Sequence, residues 1–124
     1  MSFTTLSDAR TFETPNAVMR TYASPEVNGA AQAVWRTEMA PGAAGPVHAT
    51  DAEQVIVVLA GRLRATVGGE ERTLEVGDAV VLAANVTRQL GNPFDEPVAT
   101  LSTTRPGAQA TVGTGALVEI PWVR

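Results

Sequence analysis

From Ala17 onward, short runs of β-branched and apolar residues are broken by glycine and proline about every ten residues, and this constrains the chain more than any other feature. The spacing fits an all-β sandwich or barrel, and no stretch competes as a long amphipathic helix. Strands are predicted at Val18 to Tyr22, Ala33 to Met39, Gln54 to Leu59, Arg62 to Val67, Glu71 to Val76, Ala79 to Leu82, Thr87 to Leu90 and Val98 to Thr104. Eight strands match a jelly roll. The sharpest local signal is Gly68-Gly69: two adjacent glycines supply the positive φ angles of a tight hairpin, which would set Leu63 opposite Leu74. In Ala33 to Met39, alternation puts Trp35 on the inward face, its indole lining the barrel. Val55 to Leu59 is apolar on both faces, so its outer face needs a cover, either a second subunit or a terminal arm.

Composition narrows the partners. A chain of 124 residues, 44% hydrophobic, fits one soluble domain that buries a sizeable core. Without cysteine there is no disulfide framework, thiolate cluster or cysteine nucleophile. The basic residues are all arginine and form no stripe that could follow phosphates, so no nucleic-acid partner is expected. Apolar runs such as Val55 to Gly61 fall far short of the ~20 residues of a membrane helix, and no basic-then-apolar leader opens the chain. No membrane partner and a cytoplasmic location are expected. The chain divides into an N-terminal arm (1–28), with little structure in Met1 to Asn16, a barrel (29–104) and a C-terminal segment (105–124). That segment ends in Leu117 to Val123, apolar enough to dock as a strand.

His48, the single histidine, follows Pro41-Gly42-Ala43-Ala44-Gly45-Pro46, a loop that ends one strand before the next begins. Gly42, His48, Thr50, Gln54 and Gly61 occupy the slots of a motif spaced as Gly, five residues, His, one, His, three or four, Glu, six, Gly. From Gly77, the positions Ala83, Asn85, Arg88 and Asn92 fall in register with a second motif that reads Gly, five, Pro, one, Gly, two, His, three, Asn. These are the two cupin motifs. Over roughly Asn28 to Thr104 the chain resembles a small single-domain cupin, and the resemblance implies an all-β double-stranded β-helix, the jelly-roll barrel.

In that family, two histidines and a carboxylate of the first motif and one histidine of the second converge on a divalent metal. Here Thr50, Gln54 and Arg88 replace three of those four ligands. A guanidinium about 4 Å from a divalent ion costs on the order of 8 kcal/mol at an effective dielectric near 20, several times what an amide ligand returns. No metal and no other cofactor are therefore expected. Asp51 and Glu53 are weak substitutes, since Glu53 is one residue out of parity and points out of the barrel.

The resemblance also places His48 and Arg88 at the cavity as candidate catalytic residues, with Arg88 holding a ligand's negative charge and His48, across the cavity, moving a proton. Gln54, Trp35, Thr50 and Leu90 are the candidate substrate-binding residues. Each has a plainer reading: His48 as a hydrogen-bonding structural residue, Arg88 as a bridge to a backbone carbonyl, Gln54 as a tie for either, Trp35 as core. Asn85 and Asn92 are assigned to turn geometry. The expected function is binding of a small anionic or carbonyl-bearing molecule with metal-independent isomerase, cyclase or lyase chemistry, by analogy with small cupins acting on polyketides and sugars. Two alternatives are a non-catalytic binding or sensing module, and a metal-dependent dioxygenase or isomerase keeping its metal through His48, Gln54 and a carboxylate. A homodimer is expected, as is common among cupins.

Overall fold

In the computed structural model, which describes residues 1–113 and 115–124, the punctuated runs become twelve short strands. They are β1 (Arg10–Glu13), β2 (Val18–Ala23), β3 (Ala33–Met39), β4 (His48–Thr50), β5 (Gln54–Ala60), β6 (Leu63–Val67), β7 (Glu70–Leu74), β8 (Ala79–Leu82), β9 (Arg88–Gly91), β10 (Val98–Thr104), β11 (Gln109–Val112) and β12 (Ala116–Glu119). Two antiparallel six-stranded sheets result, β1-β2-β3-β10-β5-β8 and β12-β11-β4-β9-β6-β7, the architecture of a jelly roll. Helix is confined to α1 (Pro25–Asn28) and a 3₁₀ turn at Pro121–Val123. Among the described residues no helix is long and apolar enough to cross a membrane.

The hairpin forms as its glycines dictate. Gly68 and Gly69 have φ of 56° and 84°, and Leu63 pairs with Leu74. Both positive angles match the right-handed twist of the flanking strands. The eight predicted strands correspond to β2, β3 and β5 to β10, and four more form. β1, β4 and β11 carry Arg-Thr-Phe-Glu, His-Ala-Thr and Gln-Ala-Thr-Val, too short or too polar to show a period of two; ladder bonds to β2, β9 and each other hold them. The expectation of little structure in Met1 to Asn16 is thereby corrected, since β1 pairs in register with β2, and β2 with β3. At the other end β12 stops at Glu119. Leu117 to Glu119 form the expected strand as part of β12, paired with β11; Pro121 cannot donate to a ladder, so the rest of the tail docks as a 3₁₀ turn, with Ile120 and Val123 buried. Thr21 Oγ1 donates to the Trp122 carbonyl at 2.9 Å, tying the tail to β2.

The core has two parts. Met19, Ala33, Trp35, Ala52, Ala108, Ala110, Ile120 and Val123 pack where the tail closes one end, and Met39, Ile56, Val58, Leu63, Leu82 and Val98 pack toward the other. Ile56 and Val58 face inward while Val55 and Val57 face out beside Val81, which is 62% exposed. The terminal strands do not cover that outer face: β1 lies at the edge of the sheet opposite β8, and β11 and β12 belong to the other sheet.

Candidate functional site

Inward-facing residues of both sheets enclose an inner chamber of about 130 Å³, lined by Trp35, Thr37 and Met39 of β3, His48 and Thr50 of β4, Gln54 of β5 and Leu90 of β9 among others. It opens into an outer chamber of about 370 Å³ that reaches Ala110 and Val112 of β11 and Val118 of β12. Ala17, Met19, His48, Ile120 and Trp122 line both, so His48 stands at the junction and Gln54 belongs to the inner end. A separate groove of about 230 Å³ outside the second sheet offers only a mutually paired Arg64 and Glu71 as charged groups.

Five of the six candidate residues therefore share one cavity: His48, Thr50, Gln54, Trp35 and Leu90. Arg88 does not line it. It sits directly beside His48 as its cross-strand partner in one sheet, not across the cavity, because β4 and β9 are neighbours. Its side chain is only 1% exposed. One terminal nitrogen, Nη2, donates to Thr50 Oγ1 at 2.9 Å and to Gln54 Oε1 at 2.8 Å; Nη1 donates to the Val86 carbonyl at 3.3 Å. Nε is buried without a partner, and among the described residues no carboxylate pairs with this arginine. Burial without a counter-charge lowers its pKa to about 10. The anion expected to pair with Arg88 is thus replaced by uncharged oxygens of the protein's own wall.

These bonds decide what the wall shows to the cavity. A guanidinium only donates, so the oxygen of the Gln54 amide must face Arg88, and its Nε2, with two hydrogens and no partner among the described residues, is left for the cavity. Thr50 Oγ1 accepts from Arg88 and spends its own hydrogen on the Ala52 carbonyl at 3.0 Å, so it has no donor left to offer. His48 Nδ1 lies 2.9 Å from the Pro46 carbonyl and must carry a hydrogen to bond it, which leaves Nε2 as a bare lone pair in the neutral ring. Burial lowers the His48 pKa, the Pro46 bond opposes this, and the neighbouring Arg88 charge adds to the lowering. One base and one donor therefore face the same space.

The donor set does not suit a divalent cation. Of the four motif positions, only His48 supplies a good ligand; Thr50 and Gln54 have their oxygens turned to Arg88, and Arg88 is itself a cation. No group of three His, Asp or Glu side chains converges elsewhere among the described residues. Glu53 is exposed, and Asp51 accepts from the Gln109 backbone nitrogen at 2.8 Å. Asn85 takes φ of 65°, and buried Asn92 clips a turn by donating to the Met39 and Glu96 carbonyls, so both serve backbone geometry. Thr37 shares the parity of Trp35 and was within reach of the same pattern. Met19, Ile120 and Trp122 line the cavity only because distant segments dock there, which no local pattern signals.

Two antiparallel sheets enclosing a barrel cavity, with motif residues on β4, β5 and β9 around it, define a jelly-roll domain of the cupin class. The family model for the cupin domain matches residues 35–104, more than half of the chain, and the chain belongs to the cupin family. No curated protein gives a significant sequence match. Among solved structures, the chain resembles a cupin 2 conserved barrel domain protein from Salinispora arenicola, at 21% identity and a TM-score of 0.72 over 85% of this chain and 88% of that one. It also resembles a DMSP lyase from Ruegeria pomeroyi (20%, TM-score 0.67, 80% of this chain and 57% of that one). A third is a sugar phosphate isomerase of the cupin superfamily from Silicibacter pomeroyi (18%, TM-score 0.65, 83% and 77%). At these identities the likeness concerns the fold.

Proposed function

We propose that this cupin binds a small carbonyl-bearing molecule in its barrel and moves a proton on it without a metal, as an isomerase, cyclase or lyase. The observation that supports this most is the pairing of a neutral His48, its Nε2 lone pair free, with a Gln54 amide whose donor is set toward the same cavity by Arg88. His48 Nε2 takes a proton from the carbon next to the carbonyl; the C–H electron pair moves into a new C=C bond, and the carbonyl π pair goes to the oxygen, giving an enolate. Gln54 Nε2 donates to that oxygen. Where a second C=C is conjugated with the enolate, return of the proton from His48 to its far carbon completes an isomerisation; where the carbon beyond the deprotonated one bears a leaving group, the enolate pair re-forms the carbonyl and expels that group with its bonding electrons, completing an elimination. Arg88 acts through Gln54 as a positioning residue: it fixes the amide, and its buried charge favours the oxygen more as it becomes negative. Two of the structural neighbours are described as a lyase and an isomerase, the reaction classes proposed here.

Mass spectrometry of small molecules that copurify with the native protein, followed by incubation of the captured molecule in deuterated water, tests the reading. Deuterium incorporation that is lost in His48→Ala while binding persists supports it. A captured molecule that stabilises the protein against heat but never exchanges or turns over makes this a binding module instead.

A further inference from the structure

Resting on that reading for its orientation, a further conclusion concerns the class of substrate. We infer that the site takes an uncharged carbonyl compound with an apolar body, its carbonyl in the inner chamber and its body in the outer one, and that it rejects phosphorylated sugars.

Among the described residues lining the two chambers, only His48 and Glu119 ionise. Glu119 is exposed at the outer rim, and its charge is offset by Arg124, which donates to it at 3.4 Å and lines neither chamber. Arg88, behind the inner wall, has both terminal nitrogens bonded to the protein's own oxygens on Val86, Thr50 and Gln54. A phosphate entering here would lose its water and find no cation to replace it, a cost far above that of stripping a neutral carbonyl. The hydroxyls of a sugar fare little better. Thr50 has spent its hydrogen and Thr104 Oγ1 donates to the Glu53 carbonyl at 2.6 Å, which leaves the Thr37 hydroxyl to meet them beside Gln54 and His48.

Shape gives the orientation. Gln54 lies at the inner end, in a chamber of about 130 Å³, close to the ~150 Å³ that accommodates a benzene ring in an engineered protein cavity. His48 stands at the junction, where the carbon beside a carbonyl held by Gln54 would lie. Everything beyond that carbon enters the outer chamber, whose walls include Ala110, Val112, Val118 and Trp122. Thr14, Asn16 and Glu119 add polar groups along one side, but apolar residues predominate, which favours an aromatic or alkyl body.

Two probes discriminate. 2-Tetralone is an uncharged bicyclic ketone with exchangeable hydrogens beside its carbonyl; fructose 6-phosphate is a charged sugar that presents a ketone in its open-chain form. Titrations followed by backbone amide resonances should show saturable binding of 2-tetralone at His48, Gln54 and Trp122 and none of fructose 6-phosphate at equal concentration. Val118→Asp, on the exposed edge strand β12 where the fold tolerates a charge, should weaken 2-tetralone about fivefold or more. Saturable fructose 6-phosphate binding at those residues, or no saturable 2-tetralone binding, overturns the inference. The two readings separate cleanly. If 2-tetralone binds but exchanges its hydrogens equally with the parent and with His48→Ala, the substrate class stands and proton transfer by His48 falls. If His48-dependent exchange occurs on fructose 6-phosphate alone, proton transfer stands and the substrate class falls.

Discussion

Arg88 is a buried charge that fixes the Thr50 and Gln54 oxygens of the cavity wall without lining the cavity itself. A lone cation in the interior is expensive even when hydrogen-bonded, and this one has an unpartnered Nε and no carboxylate. Replacing such a group with an apolar side chain of similar volume is often neutral or stabilising by about 1–4 kcal/mol. Arg88→Met is therefore expected to melt at or above the parent temperature while losing turnover, because the Gln54 amide is then free to rotate; a calorimetric drop of several degrees would make Arg88 a structural strut. The same substitution should raise the His48 pKa, since it removes a positive neighbour. With one histidine in the chain, a single imidazole resonance reports this directly by proton NMR, and it should titrate below 6.5 in the parent. The sign for stability follows. A folded pKa below the unfolded one means that the unfolded chain binds the proton more tightly, so this contribution is complete above pH ~6.5 and is lost as pH falls through the folded value. Turnover should fall over the same acid limb, as His48 is charged there. His48→Gln should flatten the pH dependence of the melting temperature, and an unchanged slope would remove His48 as its source.

At the level of elements, two of the three motif glycines, Gly61 and Gly77, do different work. Gly61, between β5 and β6, has φ of 71°, and a Cβ there would lie 2.2 Å from the Pro97 carbonyl oxygen. Gly77, before β8, has φ of 89° with open space around it. Gly77→Ala should cost only the left-handed backbone penalty of roughly 1–2 kcal/mol. Gly61→Ala adds a clash with backbone, and overpacking of that kind brings a further 1–3 kcal/mol or so. Urea unfolding of the two variants checks the order, and equal midpoints would mean that the loop at Pro97 yields freely. The cavity is likewise a product of element placement. β4 contributes only His48 to Thr50, yet its pairing with β9 sets His48 beside Arg88, and β5 brings Gln54 in from the other sheet.

On the scale of the whole molecule, the outer face of β5 and β8 has no terminal strand over it among the described residues. Val55, Val57 and Val81 lie together there and neither terminal strand reaches them. We propose that a second copy of the chain does, burying an apolar sheet face as a two-fold interface would. Light scattering should give twice the monomer mass of 12.9 kDa at micromolar concentration, and Val81→Glu should shift the species to monomer. A monomer that persists in the parent would leave that face simply exposed.

Period-two alternation, the Gly68-Gly69 pair and two spaced motifs were sufficient to specify a β jelly roll, Trp35 facing in and Glu53 facing out, because parity and positive φ are local properties of the chain. The short polar strands β1, β4 and β11 were invisible to the same reasoning, since ladder bonds to distant partners hold them. Motif register brought His48, Gln54 and Arg88 to one region, yet could not say which atoms would meet. That Arg88 spends its donors on Thr50 and Gln54, that Nε2 of His48 is left bare, and that Ile120 and Trp122 wall the cavity were decided by tertiary structure. Hydrogen-bond direction and the docking of a chain end depend on groups far apart in sequence, and only packing brings them within reach.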